Sequence, residues 1–203
     1  MNILKKIKNE LIVSIQAMPN EPLYDEVCIN SITKSVIELG GCKAVRLAGE
    51  RDIKNIKKMF PDVVVIGITK PNEIPENYKE IVYITPTIQD CAKVIEAGAD
   101  IVAFDGTMRK RPNDEQLKDL IDYIKSKNKI AMADIATYEE ALNACNLGCD
   151  IVSTTLSGYT DYSPLVDGPD FALVENLVKT LSIPVIAEGK VHYPDQAKKM
   201  LEL

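Results

Sequence analysis

The sequence predicts a parallel α/β fold, namely a (β/α)₈ TIM barrel that lacks its eighth strand–helix unit at the C-terminus. Three observations support this prediction. Seven short apolar runs, rich in Val and Ile, recur along the 203 residues, and amphipathic stretches separate them. A weak internal repeat, "EAGADIV" (96–102) and "NLGCDIV" (146–152), places a glycine one step past a helix, before a strand. No linker or composition shift is found, so we treat residues 1–203 as a single domain.

The strands are predicted from apolar runs of about four to six residues. Strands that are covered on both faces read as continuous Val and Ile runs rather than as alternating ones. An open, doubly wound sheet is the alternative, but no GxGxxG follows the first strand, as a dinucleotide-binding fold of that kind would need. In chain order the runs are Leu11–Ser14, Ala44–Leu47, Val63–Ile68, Ile101–Phe104, Ile130–Ala133, Ile151–Thr154 and Pro184–Ala187.

The helices between the strands are predicted from amphipathic spacing and from capping signals. In "DEQLKDLIDYI" (114–124), the apolar residues follow the i, i+3, i+4, i+7 spacing of one helix face. Thr137 with Glu140 is expected to form a capping box at the start of the helix after the fifth strand. Asn113 with Gln116 predicts a similar start for the helix after the fourth strand.

Composition disfavours several classes of function. The net charge is −6 and the pI is near 5.0, so nucleic-acid and membrane-surface binding are not expected, because both normally use a basic face. The five cysteines are odd in number and show no CxxC spacing, which predicts reduced thiols, no zinc site and a cytoplasmic protein. No apolar segment has the length of a membrane span or of a signal-peptide core.

Polar residues end or follow the predicted strands, and the active sites of such barrels lie at the carboxyl ends of the strands. Each of these residues taken singly fits a solvated loop position equally well. Taken together, they predict a polar, charged cavity at one end of the sheet. In chain order they are Gln16, Arg46, Lys70, Asp105, Asp134, Thr155 and Glu188.

The residue types in this set favour acid–base chemistry. No Cys/His cluster is present, so a metal hydrolase is not expected, and we interpret the lone histidine, His192, as an exposed or capping residue before a helix. A lysine in a dry cavity can have a lowered pKa and act as a base near neutral pH, with a carboxylate as its partner. Lys70 together with Glu188 or an aspartate therefore predicts proton abstraction next to a carbonyl, without metal or cofactor.

Eight segments in order over residues 11–190 resemble the N-acetylmannosamine-6-phosphate 2-epimerase family. They read "LIVSIQAMPNEPLY", "AVRL", "VIGITK", "YITPT", "VAFDGTMRKRP", "MADIAT", "TTLSGYT" and "PVIAEGK". The resemblance implies a (β/α)₈ barrel, usually a homodimer, with no cofactor and no metal. It also implies that a small sugar phosphate is the substrate. N-acetylmannosamine 6-phosphate and N-acetylglucosamine 6-phosphate would be interconverted at C2, in sialic acid catabolism.

The resemblance further implies roles for individual residues. Lys70 would remove and return the C2 proton, and Glu188 would assist, in ring opening or as the opposing acid. Cationic Arg46 would also help to stabilise the negative charge that develops on the substrate. The substrate-binding set would be Gln16, Arg46, Asp134, Gly189 and Lys190.

The chain departs from the family pattern at several places. Pro71 stands where a basic residue is common, Lys190 stands where arginine is frequent, and "RLAGE" differs from the usual "RAN". The sequence stops at "KKMLEL", so the last strand, a "GGAITRP"-like phosphate loop and the final helix are expected to be missing. Two alternatives stay open: another phosphosugar-handling barrel, such as a pentulose-phosphate epimerase or a thiamine-phosphate synthase, and a truncated remnant without activity.

Overall fold

The computed structural model describes residues 3–203, in which strands and helices alternate along the chain. The strands are Ile12–Ile15 (β1), Ala44–Ala48 (β2), Val64–Ile68 (β3), Ile101–Asp105 (β4), Ile130–Asp134 (β5), Ile151–Ser153 (β6) and Val185–Ile186 (β7). The helices are Ile3–Ile7 (α1), Glu26–Glu38 (α2), Glu50–Met59 (α3), Ile88–Glu96 (α4), Leu117–Ser126 (α5), Tyr138–Asn146 (α6), Phe171–Thr180 (α7) and Pro194–Glu202 (α8). Within residues 3–203, no helix is long and apolar enough to cross a membrane.

The strands β1 to β7 form one parallel sheet in sequence order, with β1 and β7 at its edges. The sheet is curled. The contacts of the Arg46 side chain in β2 show this, since it reaches both Asp134 at the end of β5 and Glu188 just after β7. The predicted parallel α/β fold is confirmed. Each predicted strand is also found, with ends that differ by one residue at most.

Alternate residues of each strand face two separate apolar layers. Inside the curl, Ala44, Val64 and Ile101 belong to one buried cluster, which Ile7 of α1 joins. On the outer face, residues such as Val102 pack with the apolar faces of the helices. Because both faces are covered, strands β2 to β6 are almost wholly buried, and this explains their continuous apolar sequences.

The internal repeat corresponds to a recurring junction between a helix and the next strand. Gly98 and Gly148 lie two residues past the ends of α4 and α6, with φ of 107° and 92°. Left-handed backbone of this kind strongly favours glycine, as the repeat predicts.

An aspartate stands two residues after each of these glycines and binds the start of the preceding strand. Asp100 Oδ2 accepts hydrogen bonds from Val65 N and from Lys57 Nζ, both at 2.9 Å. Asp150 repeats the arrangement, because its Oδ2 accepts from Ala131 N at 3.0 Å while its Oδ1 binds a lysine of α5. The two carboxylates therefore hold neighbouring strands in register at their amino ends.

Replacing Asp100 by alanine is expected to lower the free energy of unfolding by about 1–3 kcal/mol, because a partly buried backbone N–H and a lysine lose their acceptor. Urea denaturation followed by circular dichroism measures the loss. Asp122→Ala is the matched control, since Asp122 forms an exposed pair with Lys118 one helical turn away, and such pairs contribute about 0.3–0.5 kcal/mol. Equal losses in the two variants would contradict a role for Asp100 in strand register.

The start of α5 differs from the predicted one, so the Asn113–Gln116 capping pair is wrong. Asn113 lies in a short 3-10 turn with φ of 59°, whereas an N-cap residue needs extended backbone. The helix begins after Gln116 instead, whose backbone N–H donates to Asp119 Oδ2 at 3.2 Å. The predicted Thr137–Glu140 capping box is confirmed at the start of α6.

Candidate active site

A buried ion-pair cluster centred on Arg46 lies at the carboxyl ends of the strands. The guanidinium binds Asp134 through two hydrogen bonds, with Nη1–Oδ1 at 3.0 Å and Nη2–Oδ2 at 2.5 Å, and Nη1 also reaches Glu188 Oε2 at 2.5 Å. The side chains of Arg46 and Asp134 are 2% and 0% exposed, whereas that of Glu188 is 25% exposed. Of the three, Glu188 is therefore the most accessible to a ligand.

The two-residue period of a strand explains how Arg46 comes to lie inside the curl. Arg46 shares a face of β2 with Ala44 of the inner apolar layer, while Val45 and Leu47 point to the helices. Its carboxylate partners come from the carboxyl ends of strands across the curl, so a side chain from the middle of β2 bridges the end of β5 and the segment after β7.

Arg46 stays a cation although it is buried. Burial by itself lowers the pKa of a guanidinium, because the charged form loses its water. The negative charges of Asp134 and Glu188, and their hydrogen bonds, outweigh burial and raise the pKa of Arg46 above its ordinary value. The site therefore contains a fixed positive charge in an environment with little water.

Lys70 follows β3 by two residues and is half-buried beside this cluster. Burial, reinforced by the positive charge of Arg46, lowers the pKa of Lys70 from its ordinary value of 10.5. Glu188, Asp134 and Glu21 act in the opposite direction but offset this only in part. Within residues 3–203, Lys70 Nζ has no hydrogen-bond or ion-pair partner in the protein. A larger share of Lys70 is therefore neutral, and its amine is available as a base.

A cavity of about 510 Å³ opens beside Lys70. Thr69, Lys70 and Tyr83 form part of its wall, together with residues at the start of α3 and on α4. The volume lies within the range of small-ligand sites, about 300–1,000 Å³. Lys70 thus lines this cavity and also interacts electrostatically with the Arg46 cluster, whose own members do not line the cavity.

Thr155 contacts every charged member of the Arg46 cluster. Its Oγ1 lies 2.8 Å from Asp134 Oδ1, and 3.2 Å from both Glu188 Oε2 and Arg46 Nη1. Sequence analysis places Thr155 at a strand end but leaves it out of the catalytic and substrate-binding sets. Its position inside "TTLSGYT", one of the segments that carry the family resemblance, is the signal that could have added it to them.

Three residues of the predicted substrate-binding set lie outside this network of contacts. Gln16 Nε2 donates to Ser14 Oγ at 2.7 Å, on β1. Gly189 has φ of 103°, a left-handed value, and it turns the chain directly after Glu188. Lys190 Nζ then donates to Val166 O at 2.9 Å. In the structure, Lys190 is therefore directed to the loop between β6 and α7 rather than to Arg46.

Asp105 belongs to a separate network after β4. Its Oδ1 accepts from the backbone N–H and hydroxyl of Thr107, and its Oδ2 binds Arg109 Nη2 at 2.6 Å. Burial raises the pKa of Asp105, although Arg109 and the Thr107 hydrogen bond oppose the shift. Asp105 organises its own loop. The strand-end pattern predicts that it shares a cavity with Arg46, but in the structure it does not join the Arg46 cluster.

The lone histidine lies away from both networks. His192 is exposed, two residues before α8, and its backbone N–H donates to Gln196 Oε1 at 2.7 Å. Across residues 3–203, no group of three or more His, Cys, Asp or Glu side chains has an arrangement that could hold a metal ion.

A curled parallel α/β sheet with polar and charged side chains at the carboxyl ends of its strands is typical of α/β-barrel-like enzymes. The family of this chain follows from comparison with known proteins. The family model described as "Putative N-acetylmannosamine-6-phosphate epimerase" matches residues 31–203. The chain belongs to this N-acetylmannosamine-6-phosphate 2-epimerase family, as the eight sequence segments indicate.

Individual relatives agree with this assignment. A protein of Clostridioides difficile (strain 630), named as an N-acetylmannosamine-6-phosphate 2-epimerase, is 48% identical over 99% of this chain and 87% of its own length. A solved structure of the N-acetylmannosamine-6-phosphate 2-epimerase from Clostridium perfringens is 42% identical, with a TM-score of 0.92 over 100% of this chain and 86% of that chain.

A more distant solved structure shares the fold. The KDPG aldolase of Legionella pneumophila has a TM-score of 0.64 over 97% of this chain and 80% of that chain, at 12% identity. At this identity the likeness concerns the fold alone. It does not favour aldolase chemistry for this chain.

Proposed function

We propose that this chain interconverts N-acetylmannosamine 6-phosphate and N-acetylglucosamine 6-phosphate at C2, and that Lys70 removes and returns the proton. The observation that carries the proposal is the half-buried, unpaired Lys70 amine, with its lowered pKa, beside the Arg46–Asp134–Glu188 cluster. The reaction needs neither metal nor cofactor, and it belongs to sialic acid catabolism in the cytoplasm.

The chemistry of the sugar sets the order of steps. The hydrogen on C2 is acidic only when C1 is an open-chain aldehyde, so the ring must open first. Neutral Lys70 then takes the C2 proton, and negative charge develops on the enediolate oxygen. Arg46 stabilises that charge, because a fixed cation in a site with little water acts strongly on nearby charge. Return of the proton to the other face of C2 completes the epimerisation.

Glu188 is the second group that handles protons in this proposal. It is the more exposed of the two carboxylates on Arg46, and its oxygen lies in the same electrostatic environment as Lys70. Two roles fit that position: assistance in ring opening, and service as the acid opposite Lys70. In both roles Glu188 acts directly on the substrate.

The remaining predicted residues bind the substrate. Asp134 and Gln16 hold hydroxyl and acyl groups, while Gly189 and Lys190 lie on the loop after β7, where barrel enzymes commonly bind phosphate. Lys190 makes a single hydrogen bond to a loop carbonyl and lies over the Tyr159 ring, with its Nζ at 5.4 Å from the ring centre. If Lys190 exchanged these contacts for a phosphate, its ammonium group would gain an anionic partner in place of neutral ones.

The test of this function is proton exchange in D₂O. Incubation of the protein with N-acetylmannosamine 6-phosphate should give N-acetylglucosamine 6-phosphate that carries deuterium at C2, as read by ¹H NMR. Epimerisation without deuterium would require a proton shielded from solvent. Absence of both product and exchange, in a protein shown to be folded, would contradict the proposal.

A closed eight-stranded barrel and a homodimer are further parts of the proposal. β1 and β7 are the edges of the described sheet, and both residues of β7 are only half-buried. An eighth strand would pair with both edges, and its loop would complete the phosphate site. The relatives from C. difficile and C. perfringens extend beyond the part that this chain matches.

Addition of a family-like strand, phosphate loop and helix after Leu203 is therefore expected to raise the melting temperature and the affinity for sugar phosphate. Pairing of the exposed edges and burial of apolar surface are the physical reasons. Calorimetry measures the melting temperature and the affinity of the 203-residue chain and of the extended chain, and size-exclusion chromatography measures their oligomeric states. If the 203-residue chain is monomeric, cooperatively folded and as active as the longer one, the eighth unit is not needed.

A further inference from the structure

The hydroxyl group of Thr155 has more potential partners than it can bind at one time. Four groups lie within hydrogen-bond distance of Oγ1: Asp134 Oδ1 at 2.8 Å, Glu188 Oε2 at 3.2 Å, Arg46 Nη1 at 3.2 Å and Ser153 Oγ at 2.8 Å. A hydroxyl has one proton and two lone pairs. It can therefore donate to only one of the two carboxylates in any one arrangement.

The donors around Thr155 leave its single proton for the carboxylates. Arg46 Nη1 has no acceptor capacity, so it can only donate to the Thr155 oxygen. Ser153 can donate to the second lone pair. With Ser153 as the donor, the Thr155 proton goes to Asp134 or to Glu188, and Ser153 Oγ itself lies 3.5 Å from Glu188 Oε2 as a more distant donor.

Arg46 Nη1 is shared in a similar way. Its two protons face three acceptors, namely Asp134, Glu188 and Thr155. If a substrate oxygen takes one of these protons, one protein acceptor loses its donor. A carboxylate that loses a donor in a site with little water is costly, so a second donor beside it has a clear use.

The Thr154 side chain links its own segment to the backbone of Glu188. Thr154 Oγ1 donates to Glu188 O at 2.9 Å and accepts from Glu188 N at 3.1 Å. Thr154 is 1% exposed, so this two-way link is shielded from water. The link holds the segment that carries Thr155 next to the segment that carries Glu188.

We propose that Thr155 is a positioning residue of the epimerisation, whose hydroxyl donates alternately to Asp134 and to Glu188. When Arg46 turns to the negative oxygen of the substrate, Thr155 supplies the hydrogen bond that Glu188 loses. Glu188 thus stays in place without Arg46. This inference rests on the proposed function, and it adds a residue outside the predicted site.

The test compares Thr155→Val, which keeps the shape and removes the hydroxyl, with Thr155→Ser, which keeps the hydroxyl. Loss of a hydrogen bond to a charged group is worth about 1.5–3 kcal/mol, so kcat for Thr155→Val is expected to fall about 10–100-fold, with KM changed less than about threefold. Thr155→Ser should retain most of the wild-type kcat.

The Glu188→Gln background separates positioning from packing, because it removes the carboxylate that Thr155 is proposed to hold in place. In the Glu188→Gln background, Thr155→Val should cost less than about threefold.

Three results would overturn the inference: a wild-type kcat in Thr155→Val, an equal loss in Thr155→Ser, or a loss from Thr155→Val in the Glu188→Gln background as large as in the wild type. Circular dichroism and thermal melting show whether each variant is folded, and Thr155→Cys, with a weak donor of similar size, replaces Thr155→Val if that variant does not fold. The kcat of Thr155→Cys should lie between the value expected for Thr155→Val and that of the wild type. Wild-type exchange at C2 is measured in the same series, so failure of the proposed function is recognised separately.

Discussion

Replacing Lys70 by alanine is expected to lower the rate of C2 proton exchange by about 10²–10⁴-fold, the usual contribution of a positioned acid–base group. Lys70 is the amine that lies beside the Arg46 cluster without a partner of its own within residues 3–203, and burial makes its neutral form more available. Loss of the C2 proton signal in D₂O, followed by ¹H NMR, measures the effect. The melting temperature should change little, because no hydrogen bond within the protein is lost.

Lys93→Ala is the matched control for this experiment. Lys93 lines the same cavity as Lys70, but its side chain is 44% exposed and lies 3.4 Å from Asp90. We expect its exchange rate to stay within about twofold of the wild type, since an exposed ion pair contributes little. Exchange at the wild-type rate in Lys70→Ala would show that another group takes the proton.

The pH dependence of exchange gives an independent test of Lys70. An amine must be neutral to accept a proton, so the rate of C2 proton exchange should rise with pH as the Lys70 ammonium group loses its proton. Burial and Arg46 lower the pKa of Lys70, so the midpoint of this rise should lie below 10.5. A midpoint above 10.5 would mean that the carboxylates, rather than burial, dominate the environment of Lys70.

Replacing Arg46 by leucine is expected to lower the free energy of unfolding at pH 7 by about 3–5 kcal/mol. The substitution leaves Asp134 fully buried as an anion without its two hydrogen bonds from the guanidinium. Urea denaturation at pH 7 measures the loss, and catalysis should be lost as well.

A double substitution distinguishes the stranded charge from simple loss of packing. In Arg46→Leu with Asp134→Asn the anion is gone, so part of the stability should return, and the two changes should be strongly non-additive. Replacement of a buried ion pair by uncharged groups is often close to neutral, whereas removal of one partner is not. Additive losses would show that Arg46 contributes only its volume.

Much of the candidate site could be predicted from strand ends. Asp134 and Glu188 each end or follow an apolar run, and carboxyl ends of parallel strands meet at one end of the sheet, whereas Arg46 lies in the middle of β2. The direction of side chains in the loops could not be predicted in this way. Asp105 turns to its own loop because Thr107 and Arg109 satisfy it locally, and Lys190 binds a loop carbonyl.

Local errors have local causes. Asn113 has the residue type of a helix cap, but a turn that begins at Pro112 places it in left-handed backbone, and the helix starts three residues later than that pair predicts. For Thr155, the segment "TTLSGYT" indicates a place in the site, but the neighbouring residues do not indicate which groups its hydroxyl contacts. Its role depends on partners that lie 21 and 33 residues away in the chain.

The sequence by itself determined the order of strands and helices, the parallel α/β class and the residues at the strand ends, because apolar periodicity and glycine positions are properties of short segments. Tertiary structure alone decided which of those residues pair. Arg46 binds Asp134 across 88 residues and Glu188 across 142, and only the curl of the sheet brings them within hydrogen-bond distance. Burial of that cluster, together with burial of Lys70 itself, makes an ordinary lysine a candidate base.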